Sequence, residues 1–125
     1  MAMEVSKKDL TLIRGALRTT FIRSEYKRGF LDTIEIVEYK TKKDGTLYSK
    51  PTRYFICANC EGKHLLKDCK VDHIKPIGQY FDFAHTEGFI ERLWCDYDNL
   101  QGLCDSCHKD KTKYERSLIK GYAKL

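Results

Sequence analysis

Leu10, Ile13, Leu17 and Phe21 recur at spacings of three and four, and Arg14, Arg18 and Arg23 fall mostly between them. That period predicts an amphipathic helix over residues 7–24. Ser6, with Asp9 three residues later, has the form of a capping box at its start. The pattern then changes: "IEIVEY" (34–39) alternates apolar and polar positions, as a half-buried strand does. "KKDGT" supplies an Asp-Gly turn, and "TLYSK" (46–50) is the expected return strand of a hairpin. Pro51 ends that run, so "RYFIC" (53–57) is expected to open a new strand. "KVDHIKPIG" (70–78) reads as a short strand followed by a turn at Pro76 and Gly78. "HKDKTKYERSL" (108–118) carries no Gly or Pro and predicts a polar helix that begins near His108. The expected class is α+β, with residues 1–52 as a basic helix and hairpin extension and residues 53–125 as the functional domain.

Charge adds a direction. The 125 residues carry 23 Lys and Arg against 18 Asp and Glu, a net charge of +5. The basic excess lies at the two ends, and residues 61–100 are acidic. Basic arms suit a polyanion such as nucleic acid, and a carboxylate-rich centre suits a cation. A solvated surface would account for the same balance. No stretch is long and apolar enough for a membrane span, and the first residues, "MAMEVSKKDL", lack the apolar run of an export signal. The expected location is therefore cytoplasmic, where six cysteines point to metal or free thiols rather than to disulfides.

Four of those cysteines fall into two CxxC pairs, Cys57–Cys60 and Cys104–Cys107. Each pair can grip one ion, and four thiolates together complete a tetrahedral structural zinc site. Gly62, close behind the first pair, would allow its tight turn. The 43 residues between the halves exceed the roughly 15–20 of a simple zinc ribbon, so the insert must form something of its own. A disulfide framework is the first rival, and it needs export. A c-type haem attachment matches Cys104 to His108 literally, but it too needs export, and the methionines lie at the N-terminus. Cys69 and Cys95 lack partners at ligand spacing and read as small buried residues. With four cysteines on zinc, His108 is surplus to that ion and sits at the start of a helix clamped by it.

Several of these stretches occur together in one order. Val71-Asp72-His73-Ile74, then Asp98-Asn99-Leu100-Gln101-Gly102-Leu103 running into Cys104–Cys107 and His108, then Lys111-Thr112, resemble an HNH endonuclease of the phage type with two CxxC pairs. "FIERLWC" (89–95) is similar to the segment ahead of the central asparagine in that group. The likeness covers residues 53–116. It implies a ββα-metal (His-Me finger) core stapled by a structural zinc on four cysteines. It also implies a metal-dependent DNA endonuclease, phage or mobile-element encoded, acting in homing or genome packaging within the bacterial host's cytoplasm.

Carried over by residue, the resemblance implies that His73 is the general base and that Asp72 and His108 hold one catalytic cation. It gives Asn99 the task of bracing the loop that positions His73. An acid at position 72, where some relatives have a second histidine, favours Mg²⁺ or Mn²⁺ over another zinc. The chemistry suits these residue types. An imidazole titrates near neutral pH and can take a proton from water, and a cation stabilises charge developing on a phosphoryl centre. Arg14, Arg18, Lys109, Lys111 and Lys113 are the candidate phosphate contacts, although helical spacing sends the three lysines to different sides. His64 and His85 match nothing in the pattern. DNA is the expected partner, with a homodimer or a packaging protein as further candidates. The alternative is a zinc-ribbon nucleic-acid-binding module that does not cut.

Overall fold

The computed structural model describes residues 4–78 and 81–123. The chain is α+β and divides into two compact units, Met1–Phe30 with His73–Leu100, and Leu31–Asp72 with Gln101–Leu125.

The first unit begins with helix α1 (Lys7–Ile22), two residues shorter than its apolar period suggested. Ser6 caps it by accepting a hydrogen bond from the Asp9 amide at 3.1 Å. Helix α3 (Thr86–Leu93) packs against α1. Its two fully buried residues, Phe89 and Leu93, are four apart and so share one face. Phe21 of α1 meets the Trp94 ring edge-on at 5.4 Å, and Phe81 meets Phe89 at 5.2 Å. Helix α2 (Glu25–Ile34), which the sequence pattern did not reveal, starts in this unit. Phe30 and Tyr26 both pack on the Tyr97 ring, and Tyr97 Oη donates to the Tyr26 carbonyl at 3.0 Å. A β-carbon on Gly29 would lie 2.5 Å from that same Oη, so the close approach of α2 to Tyr97 requires glycine there.

The second unit holds a three-stranded antiparallel sheet in sequence order: β1 (Ile36–Glu38), β2 (Thr52–Ile56) and β3 (Lys63–Leu65). The expected return strand at 46–50 is absent. Thr41 and Leu47 form a single bridge around the Asp44-Gly45 turn, where Gly45 has φ +89°, and β1 pairs with β2 instead. Too few apolar side chains lie in 40–50 to hold a ladder, and all of them are exposed. Strands β4 (Lys70–His73) and β5 (Leu100–Leu103) pair with each other, and β5 runs into α4 (Asp105–Ala123). The chain crosses from one unit to the other within α2, β4 and β5.

The core of the second unit is unusual in its sulfur content: Cys57, Cys69 and Cys104 are buried together with Phe55 and Leu103. Leu31, Ile34 and Leu66 pack around them. Full burial of Phe55 or Leu103 contributes about 1.5–3 kcal/mol each.

Candidate functional site

Four sulfurs converge in this core. The ligand atoms of Cys57, Cys60, Cys104 and Cys107 all lie within 4.8 Å of one another. A zinc ion with Zn–S bonds of about 2.3 Å sets its sulfurs about 3.8 Å apart in a tetrahedron. The Cys60–Cys104 separation is 3.9 Å. The cluster could therefore hold a metal ion such as zinc.

Backbone amides prepare it. The Cys104 amide donates to Cys57 Sγ at 3.4 Å, and the Asn59 side chain donates to Cys107 Sγ at 3.3 Å. Ala58 N–H donates to the Gly102 carbonyl at 2.9 Å, which joins the two cysteine-bearing segments directly. Burial acts to raise the Cys57 pKa, but donors from Cys104, Cys60 and Asn59 outweigh it and bring this thiol down to about 6. Cys107 is pushed up to about 12: Asn59 acts to lower it, but burial and the three neighbouring sulfurs prevail. Thiolates crowded together oppose one another's ionisation. A cation at the centre would relieve that conflict.

The tight turn after Cys60 is made differently from the sequence expectation. Glu61, not Gly62, takes the left-handed conformation, with φ 61°. Gly62 is closely approached: a β-carbon there would lie 3.0 Å from His64 Nε2 and 3.3 Å from Cys60 Sγ. His64, which the sequence left without a role, stands 3.9 Å from Cys60 Sγ through Nε2.

His108 lies on the first turn of α4, its amide bonded to the Cys104 carbonyl at 2.9 Å. Asp72 is half-buried in β4. Its Oδ2 accepts from Gln101 Nε2 at 2.9 Å and from Lys111 Nζ at 2.5 Å. Its carboxylate is thus already paired with the Lys111 ammonium. Among the described residues, the cysteines are the one group of three or more Cys, His, Asp or Glu whose ligand atoms cluster this closely.

β4 is regular through His73, so Asp72 and His73 leave it on opposite faces. The His73 ring packs 5.0 Å from Phe21, and its Nε2 is 2.8 Å from the Leu93 carbonyl. A carbonyl only accepts, so Nε2 carries the hydrogen, and Nδ1 is the basic nitrogen of the neutral ring. Asn99 acts on the backbone just beyond. Its Oδ1 accepts from the Lys75 amide at 2.9 Å, its Nδ2 donates to the Lys75 carbonyl at 3.4 Å, and its own carbonyl accepts from the Ile74 amide at 2.8 Å.

The candidate phosphate contacts separate by face. On α4, His108, Lys109, Thr112, Lys113, Arg116 and Ser117 line one groove at i, i+4 spacing. Arg116 was missed from sequence, although its spacing from Thr112 and Lys113 would have revealed it. Lys109 is tied to Asp105 at 2.9 Å, which holds the Asp105 carboxyl below its ordinary range. Lys111 turns the other way, to Asp72 and Glu115. On α1, Arg18 donates to the Gly78 carbonyl at 2.9 Å, so this arginine fixes the loop after β4, and Arg14 is half-buried.

Fold and site together define a mixed α+β chain built around a four-cysteine cluster that could hold a metal such as zinc. No helix among the described residues is long and apolar enough to cross a membrane. No model of a known protein family, no curated protein and no solved structure matches the chain.

Proposed function

We propose that the chain is a metal-dependent DNA endonuclease of the HNH type, with a structural zinc on Cys57, Cys60, Cys104 and Cys107. The β4, β5 and α4 elements would form the ββα-metal core. The observation that carries the reading is the orientation of one imidazole. His73 is held by the Leu93 carbonyl and by Phe21, while Asn99 braces the next two residues from both sides of the Lys75 peptide. A histidine kept in a single tautomer, with Nδ1 as base, is what water activation requires.

In this mechanism His73 Nδ1 would take the proton of the attacking water, with a turn of the chain at the end of β4 bringing His73 to the side that Asp72 faces. Asp72 and His108 would hold a Mg²⁺ or Mn²⁺ ion, which would supply charge stabilisation at the phosphoryl group. Asn99 keeps the His73 loop from relaxing. Lys113 and Arg116 on the α4 groove neutralise phosphates of the bound strand. The test is nicking of supercoiled plasmid by zinc-loaded protein with Mg²⁺ or Mn²⁺, with and without EDTA. His73→Ala should lose at least about 10²-fold in rate while keeping its zinc and its DNA affinity. A variant that cuts as fast as the parent removes His73 from the mechanism.

One observation favours the rival reading, a zinc-ribbon module that binds nucleic acid without cutting: Asp72 is already paired with Lys111. On that reading the parent protein shows no metal-dependent nicking but retains salt-sensitive DNA binding.

A further inference from the structure

The segment after β1 carries positive charge with no counterpart. Residues 39–50 hold four lysines, Lys40, Lys42, Lys43 and Lys50, against one acid, Asp44. Every residue of this stretch is exposed. Asp44 is already engaged: its Oδ1 accepts from the Thr46 amide at 3.0 Å and from Thr46 Oγ1 at 2.7 Å. The acids just before the stretch are engaged too, Glu38 by Lys63 and Glu35 by Arg53. Among the described residues, none of the four lysines is paired with a carboxylate. The backbone settles which side chains act together. Thr41 and Leu47 face each other in the single bridge, the Lys42 amide donates to the Thr46 carbonyl at 2.6 Å, and the Tyr48 amide donates to the Lys40 carbonyl at 2.9 Å. Side chains alternate along such a ribbon, so Lys40, Lys42 and Tyr48 share one face. The Lys42 ammonium, 5.6 Å from the centre of the Tyr48 ring, agrees with that placement. Lys43 sits in the turn itself, outside the alternation.

A lone two-stranded hairpin is marginal in water, and this one keeps its Tyr48 ring 51% exposed. An open aromatic ring beside unneutralised ammonium groups matches a partner that has flat faces joined by negative charge. Unpaired nucleic acid has both, since its bases stack on aromatic rings and its phosphates attract lysine. An acidic protein segment offers the charge without the flat faces, and a duplex keeps its bases stacked on one another. We propose that the 39–50 ribbon is a binding arm for single-stranded DNA, on which Tyr48 stacks against a base while Lys40 and Lys42 take flanking phosphates. The inference rests on the reading of the chain as a DNA-binding protein, which the nuclease and its non-cutting rival share. Lys40 and Lys42 are two residues apart, about 6.6 Å along a strand, comparable with the step between successive phosphates of an extended single strand. The arm belongs wholly to the second unit. It would hold an unpaired strand of the kind exposed at a nick or a frayed end.

The experiment titrates zinc-loaded protein, with no Mg²⁺ or Mn²⁺ added, into a fluorescein-labelled oligothymidylate of about 12 nucleotides, within the span of such sites, and into a duplex of equal length. Tyr48→Ala should weaken binding to the oligothymidylate about tenfold and leave duplex affinity unchanged. Tyr48→Phe should bind as the parent does, because stacking uses the ring and not the hydroxyl. Lys40→Ala with Lys42→Ala should lower the single-strand salt slope by about 1.4, whereas Lys43→Ala should not change it. In the unmutated protein, irradiation of an oligonucleotide carrying 5-iododeoxyuridine should attach it to Tyr48, mapped by mass spectrometry, a readout that needs no variant to fold. A parent that does not bind the oligothymidylate, a Tyr48→Ala variant that binds it as tightly as the parent, or crosslinks confined to α4 would each overturn the arm. Equal losses in Tyr48→Phe and Tyr48→Ala would overturn the stacking, and an equal loss on the duplex would overturn the assignment to single strands. No part of the experiment involves cutting, so plasmid nicking judges the nuclease reading separately.

Discussion

A methyl group at position 102 has no room. A β-carbon on Gly102 would sit 2.8 Å from Ile34 Cδ1, 2.9 Å from Cys69 Sγ and 3.2 Å from Phe55 Cδ2. Cys69 and Phe55 are core residues and partly buried Ile34 packs directly on them, so at least two of the three neighbours cannot move aside into solvent. Overpacking a filled core costs about 1–3 kcal/mol, and the stiffer unfolded chain returns about 0.4–1 kcal/mol. Gly102→Ala should therefore lose about 1–2 kcal/mol. With a urea slope of about 1–3 kcal/mol per molar, the unfolding midpoint falls by roughly 0.5–1 M. The strain also bears on the metal cluster, since the Gly102 carbonyl accepts the Ala58 amide and Cys104 follows two residues later. Zinc should be lost to a chelator faster than from the parent. Gly15→Ala is the matched control. Gly15 is exposed in the middle of α1, and a β-carbon there meets nothing within 4 Å. It should gain about 0.5–1 kcal/mol of stability, because alanine is the better helix former. The same added methyl should thus act with opposite signs at the two positions. A Gly102→Ala midpoint at or above that of the parent, measured by circular dichroism in urea, would refute the packing account.

Cys60→Ser should leave three sulfurs and cost the second unit its cooperative unfolding, because structural zinc contributes folding free energy directly. A normal melt in that variant, with no bound zinc, would show that the cluster holds no structural ion. Asn99→Ala frees the Lys75 peptide and should slow nicking by about 10²-fold through misplacement of His73, with zinc content unchanged; an unaltered rate would count against the clamp. Lys113→Ala and Arg116→Ala should each reduce the salt slope of DNA binding by about 1, whereas Lys43→Ala in the exposed turn should not. Equal slopes for all three would dissociate the α4 groove from phosphate contact. Ser6→Ala removes the acceptor for the Asp9 amide and should cost about 1 kcal/mol in thermal unfolding.

Which features were legible depended on how local their causes are. The α1 period, its Ser6 cap and the strand at β2 follow from side-chain spacing within a few residues, and they formed nearly where the pattern put them. Helix α2 was not legible, since "EYKRGFLDTI" carries a mid-helix glycine, and its stability comes from packing Tyr26 and Phe30 on Tyr97. The return strand at 46–50 failed for the opposite reason: its turn chemistry is correct, but no apolar surface waits to receive it. Of the basic residues marked for phosphate, Arg18 went to the Gly78 carbonyl and Lys111 to a pair of acids. Charge in a sequence says nothing of which oxygen it will meet.

By itself the sequence determined the four sulfurs and the helix they anchor, because CxxC spacing fixes two ligands within one turn of chain whatever lies around them. Only the tertiary structure decided what the Asp72-His73 pair touches. One side chain went to a lysine 39 residues ahead and the other to a carbonyl 20 residues ahead. Contacts at that range are fixed by how β4, β5 and the helices pack, and no short-range pattern encodes them.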